Sequence, residues 1–218
     1  MHDVDDERGV DAAPRAGRGR PRDDRLDERV LAATRASLED LGWERTSVRG
    51  VAERSGVSRP AIARRWPSKA HLVLAAILGE TPDLDAFEDV DMAGWIDGVV
   101  DGSFALFDRT DVQAAAPGLL ATLRDHEDIR AALWDGFSGP ASALAVEAHR
   151  DGGTDVLETA AAGEPVGDDL VVDARAAIVL AAGSALFLSL VVGADDRLRR
   201  RVETVLTSAM TDLLDPQS

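Results

Sequence analysis

The chain has 218 residues, 45% of them hydrophobic, no cysteine and a formal net charge of −16. That length buries a core with ease and holds one large unit or two smaller ones, while the missing thiols exclude disulfides, thiolate catalysis and thiolate metal sites, in keeping with a reducing cytoplasm. The charge is divided by region: residues 1–13 sum to −4, 14–78 to +6 and 79–218 to −18, the asymmetry expected when one module meets a polyanion and the other does not.

In chain order, the start MHDVDDERGV is acidic and polar, without the basic lead and apolar core of a signal peptide. Residues 1–24 are rich in charge, Gly and Pro and lack apolar periodicity, so an arm without stable structure is expected there. Within it, GRGRPR carries Arg18, Arg20 and Arg22; such a segment is narrow enough to lie in an A·T-rich minor groove, although a solvated tail reads the same way. From Leu26, the positions Val30, Leu31, Thr34, Leu38 and Leu41 share one helical face, and Gly42 ends that helix. Trp43 begins a short link to Thr46 and Ser47, either of which can cap a second helix, RGVAERSG. Gly56 suits the left-handed residue ending it, Val57 plugs the core, and Ser58 caps a third helix, RPAIARRW, with Pro60 in its first turn. Pro67 ends that helix and Ser68 caps a fourth, reaching about Gly79. Ile62 and Trp66 point inward, which leaves Arg59, Pro60, Ala61, Arg64 and Arg65 outward or along the seam. A short helix, a tight turn and a basic helix, braced by a longer helix before them, form the helix-turn-helix pattern.

Those residues resemble the DNA-binding domain of the TetR family of transcriptional regulators. The resemblance runs from about Leu26 to Ile77 and rests on the Thr-Ser before the second helix, the Gly-Val-Ser turn, and an aromatic followed by Pro-Ser-Lys after the third. It implies an all-α protein: an arm over 1–24, a DNA-binding domain over 25–79 with its helix-turn-helix about 47–66, and a helical effector-binding and dimerisation domain over 80–218. It implies phosphate contacts at Thr46, Ser47 and Lys69, the only lysine, and base contacts at Arg59, Pro60 and Ala61, with Arg64 and Arg65 nearer the flanking phosphates and Ser58 also among the DNA-binding residues. One departure is Ala63, where the family most often has a phosphate-binding tyrosine.

Beyond Gly79 the segment TPDLDAFEDVD is acidic, and Trp95, Ile96, Val99, Val100, Phe104 and Phe107 predict a helix from Met92 to Asp108. Pro117 is expected to open the next helix, Asp128 to cap one through Trp134, and Pro140 to start another through His149. Two final helices are expected over about Val172–Val192 and Asp195–Leu214. The first is apolar enough to approach a membrane span, but its Gly and Ser residues and flanking charges favour a buried interface helix, and no membrane is expected as a partner. Its small residues Ala177, Ala181, Ala185 and Ser189, with Val202 and Leu206, are the expected homodimer interface, or else they bury within their own domain. Trp95, Phe104, Phe107, Trp134, Phe137 and Phe187 are candidate walls of a pocket for an unidentified small-molecule effector. His126-Glu127-Asp128 lacks a helical His pair, so no metal and no cofactor is assigned.

The sequence thus points to a cytoplasmic, dimeric regulator that binds a double-stranded DNA operator, acts as a repressor and is released by a small molecule. The alternative is an architectural DNA-binding protein without an effector. An enzyme finds no support in any nucleophile–base pair or phosphate loop.

Overall fold

The computed structural model describes residues 24–79, 90–151 and 166–214, and all regular structure among them is helical. The helices are α1 (Asp24–Arg45), α2 (Val48–Ser55), α3 (Arg59–Arg65), α4 (Lys69–Leu78), α5 (Met92–Asp108), α6 (Thr110–Leu123), α7 (Glu127–Asp151), α8 (Val166–Phe187), which continues as one π-helical turn over Leu188–Val192, and α9 (Asp196–Leu214).

The first four helices close around Val30, Val51, Val57, Ile62, Trp66 and Leu72, all buried. α1 does not simply stop at Gly42. That glycine takes φ 72°, the left-handed side that other residues avoid, and helical bonding resumes to Arg45. The kink turns Trp43 toward α6, and the α1–α6 seam is the most extensive between any two helices. A second apolar cluster there joins Leu38 of α1 and Val73, Leu74 and Ile77 of α4 to Val112, Ala115 and Leu119 of α6.

Two proline expectations are corrected. α6 begins at Thr110 and carries Pro117 inside it; the lost hydrogen bond of an interior proline, about 3 kcal/mol, is offset by the buried Val112, Ala115 and Leu119. The two helices predicted on either side of Pro140 are one, α7. Near that proline, Ser138 Oγ donates to the Trp134 carbonyl at 2.7 Å and Ser142 Oγ to that of Gly139 at 2.9 Å.

The third cluster is the core of the second domain, centred on Trp95, Phe104 and Met210. Trp95 is fully buried, and its Nε1 donates to the Ala141 carbonyl at 2.9 Å, tying α5 to α7. Ala177, Ala181 and Ala185 lie in this core at 0% exposure, Leu206 is buried beside them and Val202 packs against them. Ala177, Ala181 and Ala185 therefore face helices of their own domain and have no surface left for a second subunit, whereas Ser189 is half-buried. Small residues let helices approach closely on whichever side they face, so the spacing alone did not choose the partner. The side of α8 left open is large and apolar, with Val172, Val179, Leu180, Phe187, Val191 and Val192 exposed. The segment Asp169–Val192 has the length and hydropathy of a membrane span, yet its other face is this domain's core.

The Trp43 seat yields a test. A Cβ on Gly118 would stand 2.2 Å from the Trp43 ring. In an open helix Gly→Ala stabilises by up to about 1 kcal/mol; here Gly118→Ala is expected to destabilise by about 1–3 kcal/mol, the cost of overpacking, read as a lower urea midpoint with unchanged slope.

Candidate nucleic-acid interface

Ser47 is the N-cap of α2: its backbone is extended and its Oγ accepts from Gly50 N–H at 3.1 Å. The cap uses an oxygen lone pair, so the hydroxyl proton of this exposed serine remains available to an anion. Gly56, at φ 68° and ψ 19°, ends α2 in the left-handed conformation and redirects the chain into α3. Ser58 stands at the N-cap position of α3, its carbonyl accepting from Ile62 N–H at 3.1 Å while its side chain makes no cap bond. An exposed serine hydroxyl at the start of a basic helix is thereby left for a partner.

α3 is held by Ile62 and Trp66, both buried. Arg59, Pro60, Ala63 and Arg64 are exposed, and Ala61 is partly buried against the core. Arg65 differs from its neighbours, since it forms an ion pair with Asp27 of α1, a carboxylate only 4% exposed. A buried carboxylate needs a partner, so Arg65 secures α3 to α1 and is withdrawn from the expected phosphate contacts. Thr46 is withdrawn as well. It is 3% exposed, and its hydroxyl lies 2.8 Å from the Gly42 carbonyl and 3.0 Å from that of Ser37, where its single proton closes the kink after α1. Exposed Arg49 on α2, paired with Glu53 at 3.0 Å, is a basic group on this domain that the sequence reading did not select.

Lys69 is positioned by α4 and tied to α1. Its Nζ donates to the Trp43 carbonyl and lies 4.2 Å from the centre of the Trp43 ring. Burial lowers its pKa from the ordinary lysine value, and the Glu44 carboxylate partly opposes the shift. An ammonium carries three donors, so one carbonyl does not exhaust it. Arg18, Arg20 and Arg22 lie outside the described residues.

The last turn of α4 is gripped from two sides. Arg35 of α1 donates to the Ala76 carbonyl at 3.0 Å, and Arg109, at the α5–α6 junction, donates to that of Ile77 at 2.9 Å. Arg109 is itself fixed by the buried Asp111 through bonds of 3.1 and 2.7 Å, and His71 Nε2 lies 3.3 Å from Asp128 of α7. These joints were missed because Arg109-Thr110-Asp111 has no periodicity to mark it.

The six aromatic candidates do not form one pocket. Trp95 is interior, and Trp134 and Phe187 are exposed, Trp134 lying 5.9 Å from the Arg175 guanidinium. Phe137 is within α7, its side chain outside the description. Phe104 borders a cavity of about 390 Å³ with Asp108, Ser189, Asp195 and Arg199. Phe107 borders a separate cavity of about 100 Å³ between α4 and α6. Among the described residues no three His, Asp or Glu side chains gather as metal ligands.

Comparison with known proteins follows this geometry. Residues 30–76 match the family described as bacterial regulatory proteins, tetR family. An uncharacterised HTH-type transcriptional regulator of Mycobacterium tuberculosis is 45% identical over 49 residues, 22% of this chain and 24% of that protein. The HTH-type transcriptional repressor KstR of Mycolicibacterium smegmatis is 39% identical over 62 residues, 28% of this chain and 30% of that protein. The matched segment thus spans about a quarter to a third of these relatives. The crystal structure of a TetR transcriptional regulator from Rhodococcus sp. RHA1 superposes with a TM-score of 0.60 at 17% identity, covering 90% of this chain and 99% of that one. That likeness shows the fold.

Two neighbouring arginines separate stability from DNA contact. Arg65→Ala strands a buried carboxylate and is expected to cost about 3 kcal/mol in urea unfolding. Arg64→Ala is expected to leave the unfolding curve in place and to reduce the salt slope of DNA binding by about 1. The opposite assignment of the two effects would refute the division of roles.

Proposed function

We infer, from a chain that belongs to the tetR family of bacterial regulatory proteins by its residues 30–76, that this protein is a dimeric repressor that binds a palindromic DNA operator and is released by a small molecule. The observation that carries the DNA-binding part is the presentation of α3: a helix anchored by Ile62 and Trp66 that exposes Arg59 and Arg64 at its two ends. Arg59 is placed to read a guanine edge in the major groove, where two parallel hydrogen bonds discriminate by about 1–3 kcal/mol. Ser47, Ser58, Arg64 and Lys69 hold flanking phosphates. The charge of −18 over residues 79–218 keeps the second domain off the backbone.

A homodimer supports this reading on two grounds. One short helix reads only a few base pairs, whereas a symmetric pair reads half-sites about 34 Å apart. The exposed apolar side of α8, which includes Val179, Leu180 and Phe187, suits a second copy. Release by an effector requires that it bind the DNA-incompetent arrangement more tightly. α4 is the element through which such a preference reaches α3, because residues of α1, α5–α6 and α7 hold it. KstR, a repressor by name, supports the sign of regulation. Function in the cytoplasm follows from the DNA target.

Two measurements test this. Genomic fragments retained by the protein should be enriched in a few sites sharing an inverted repeat; retention without sequence enrichment would replace the regulator by an architectural protein. In sedimentation, Leu180→Arg should give a folded monomer with operator affinity reduced at least about tenfold, while Ala181→Asp, which buries a charge, should unfold the second domain. A Leu180→Arg protein that stays dimeric would move the interface elsewhere.

A further inference from the structure

We propose that Ser68 is a further phosphate-binding residue of the DNA interface and that a single proton on His71 switches it on, so that DNA affinity rises as pH falls. This rests on the regulator reading above and adds a control to its DNA-binding surface. The device is a line of three side chains that joins the two domains. Ser68, the N-cap of α4, accepts from the His71 backbone N–H at 3.3 Å, and its Oγ lies 2.9 Å from His71 Nδ1. On the other side of the ring, Nε2 lies 3.3 Å from Asp128 Oδ2 of α7.

The chemistry of the two neighbours assigns the protons. A carboxylate only accepts, so the neutral ring directs its Nε2–H toward Asp128 and leaves the Nδ1 lone pair to the Ser68 hydroxyl, which donates to it. In that state the single hydroxyl proton of Ser68 points into the protein. Once Nδ1 takes up a proton it becomes a donor, and Ser68 Oγ accepts twice, from this N–H and from the backbone. The hydroxyl proton then turns to a new acceptor. Ser68 is partly exposed and directly precedes Lys69, so a phosphate held by Lys69 supplies that acceptor, and the imidazolium charge favours the same anion.

The surrounding groups single out His71. Among the described residues it pairs with Asp128 alone. His126 flanks the other oxygen of that carboxylate at 4.0 Å and is 55% exposed against 24% for His71, so the nearer, less solvated ring has the stronger hold on Asp128. On α4 itself Lys69 is opposed by Glu44 of α1. Arg35 and Arg109 reach the far end of α4, at the Ala76 and Ile77 carbonyls, and α6 meets α4 through the apolar Val112, Ala115 and Leu119.

Histidine changes charge between about pH 5 and 8, so the test is binding of the most enriched genomic fragment to the full chain at about pH 8 and 6, at constant ionic strength. Wild-type affinity should rise at least about fivefold on acidification, while His71→Asn, which offers Ser68 a permanent neutral acceptor, should stay level. His126→Asn should behave as wild type. Ser68→Ala, which keeps the imidazole and loses the hydroxyl, should lose at least half of the gain. Calorimetry of the wild type in two buffers of different ionisation enthalpy should show protons taken up on binding, and this arm stands even if His71→Asn fails to fold. Equal pH dependence in wild type and His71→Asn, or no proton uptake, would overturn the switch, and a full gain in Ser68→Ala would overturn the role of Ser68. A protein that selects no fragment at all gives a different result, which removes the regulator reading and this inference with it.

Discussion

The placement of the DNA-binding helices depends on one side chain, Trp43, held between Lys69 of α4 and Gly118 of α6. The kink at Gly42 brings it there, and the absence of a Cβ on Gly118 lets its ring lie against the helix backbone. A half-buried aromatic ring packed against a second domain contributes apolar area, and the Lys69 cation near it adds direction as well as attraction. Arg109 on Asp111, reaching the last turn of α4, completes the clamp. α4 thus contributes to both clusters, with Leu72 and Ala76 in the one that holds Ile62 and Trp66 and Val73, Leu74 and Ile77 in the one that reaches α6.

The basic residues divide into two groups by their neighbours. Arg65 is engaged in the construction of the domain by a buried aspartate, while Lys69 gives one donor to a carbonyl beside an indole and keeps two. Arg59 and Arg64 remain exposed on a helix anchored from beneath. Exposed arginine on a rigid helix meets DNA at little cost in order, because the scaffold has already fixed the backbone. Residues 79–218 carry a net charge of −18, a sign unfavourable to phosphate.

Much of this was legible in the sequence. Helical periodicity located α1, α4 and α5, and Ser47, Gly56 and Ser68 marked the two caps of α2 and the N-cap of α4 as found. What failed had local causes. Prolines 117 and 140 were read as helix starts, but the burial of their neighbours outweighs the single backbone bond each one forfeits. The alanine stripe of α8 showed that something approaches closely and not which helix does so. Thr46 and Arg65 carried the right chemistry for phosphate, yet the Gly42 carbonyl and Asp27 claim them first, and such claims arise only once the chain has folded. The Trp43–Gly118 seat joins positions far apart in sequence, beyond the reach of any periodicity.

The central claim is that two copies of α3 read DNA symmetrically. Hydroxyl-radical footprinting on a retained genomic fragment tests it most directly. The account predicts two protected blocks related by a two-fold axis and centred about one helical turn, roughly 34 Å, apart or slightly more. A single protected block, or even protection along the whole fragment, would contradict it.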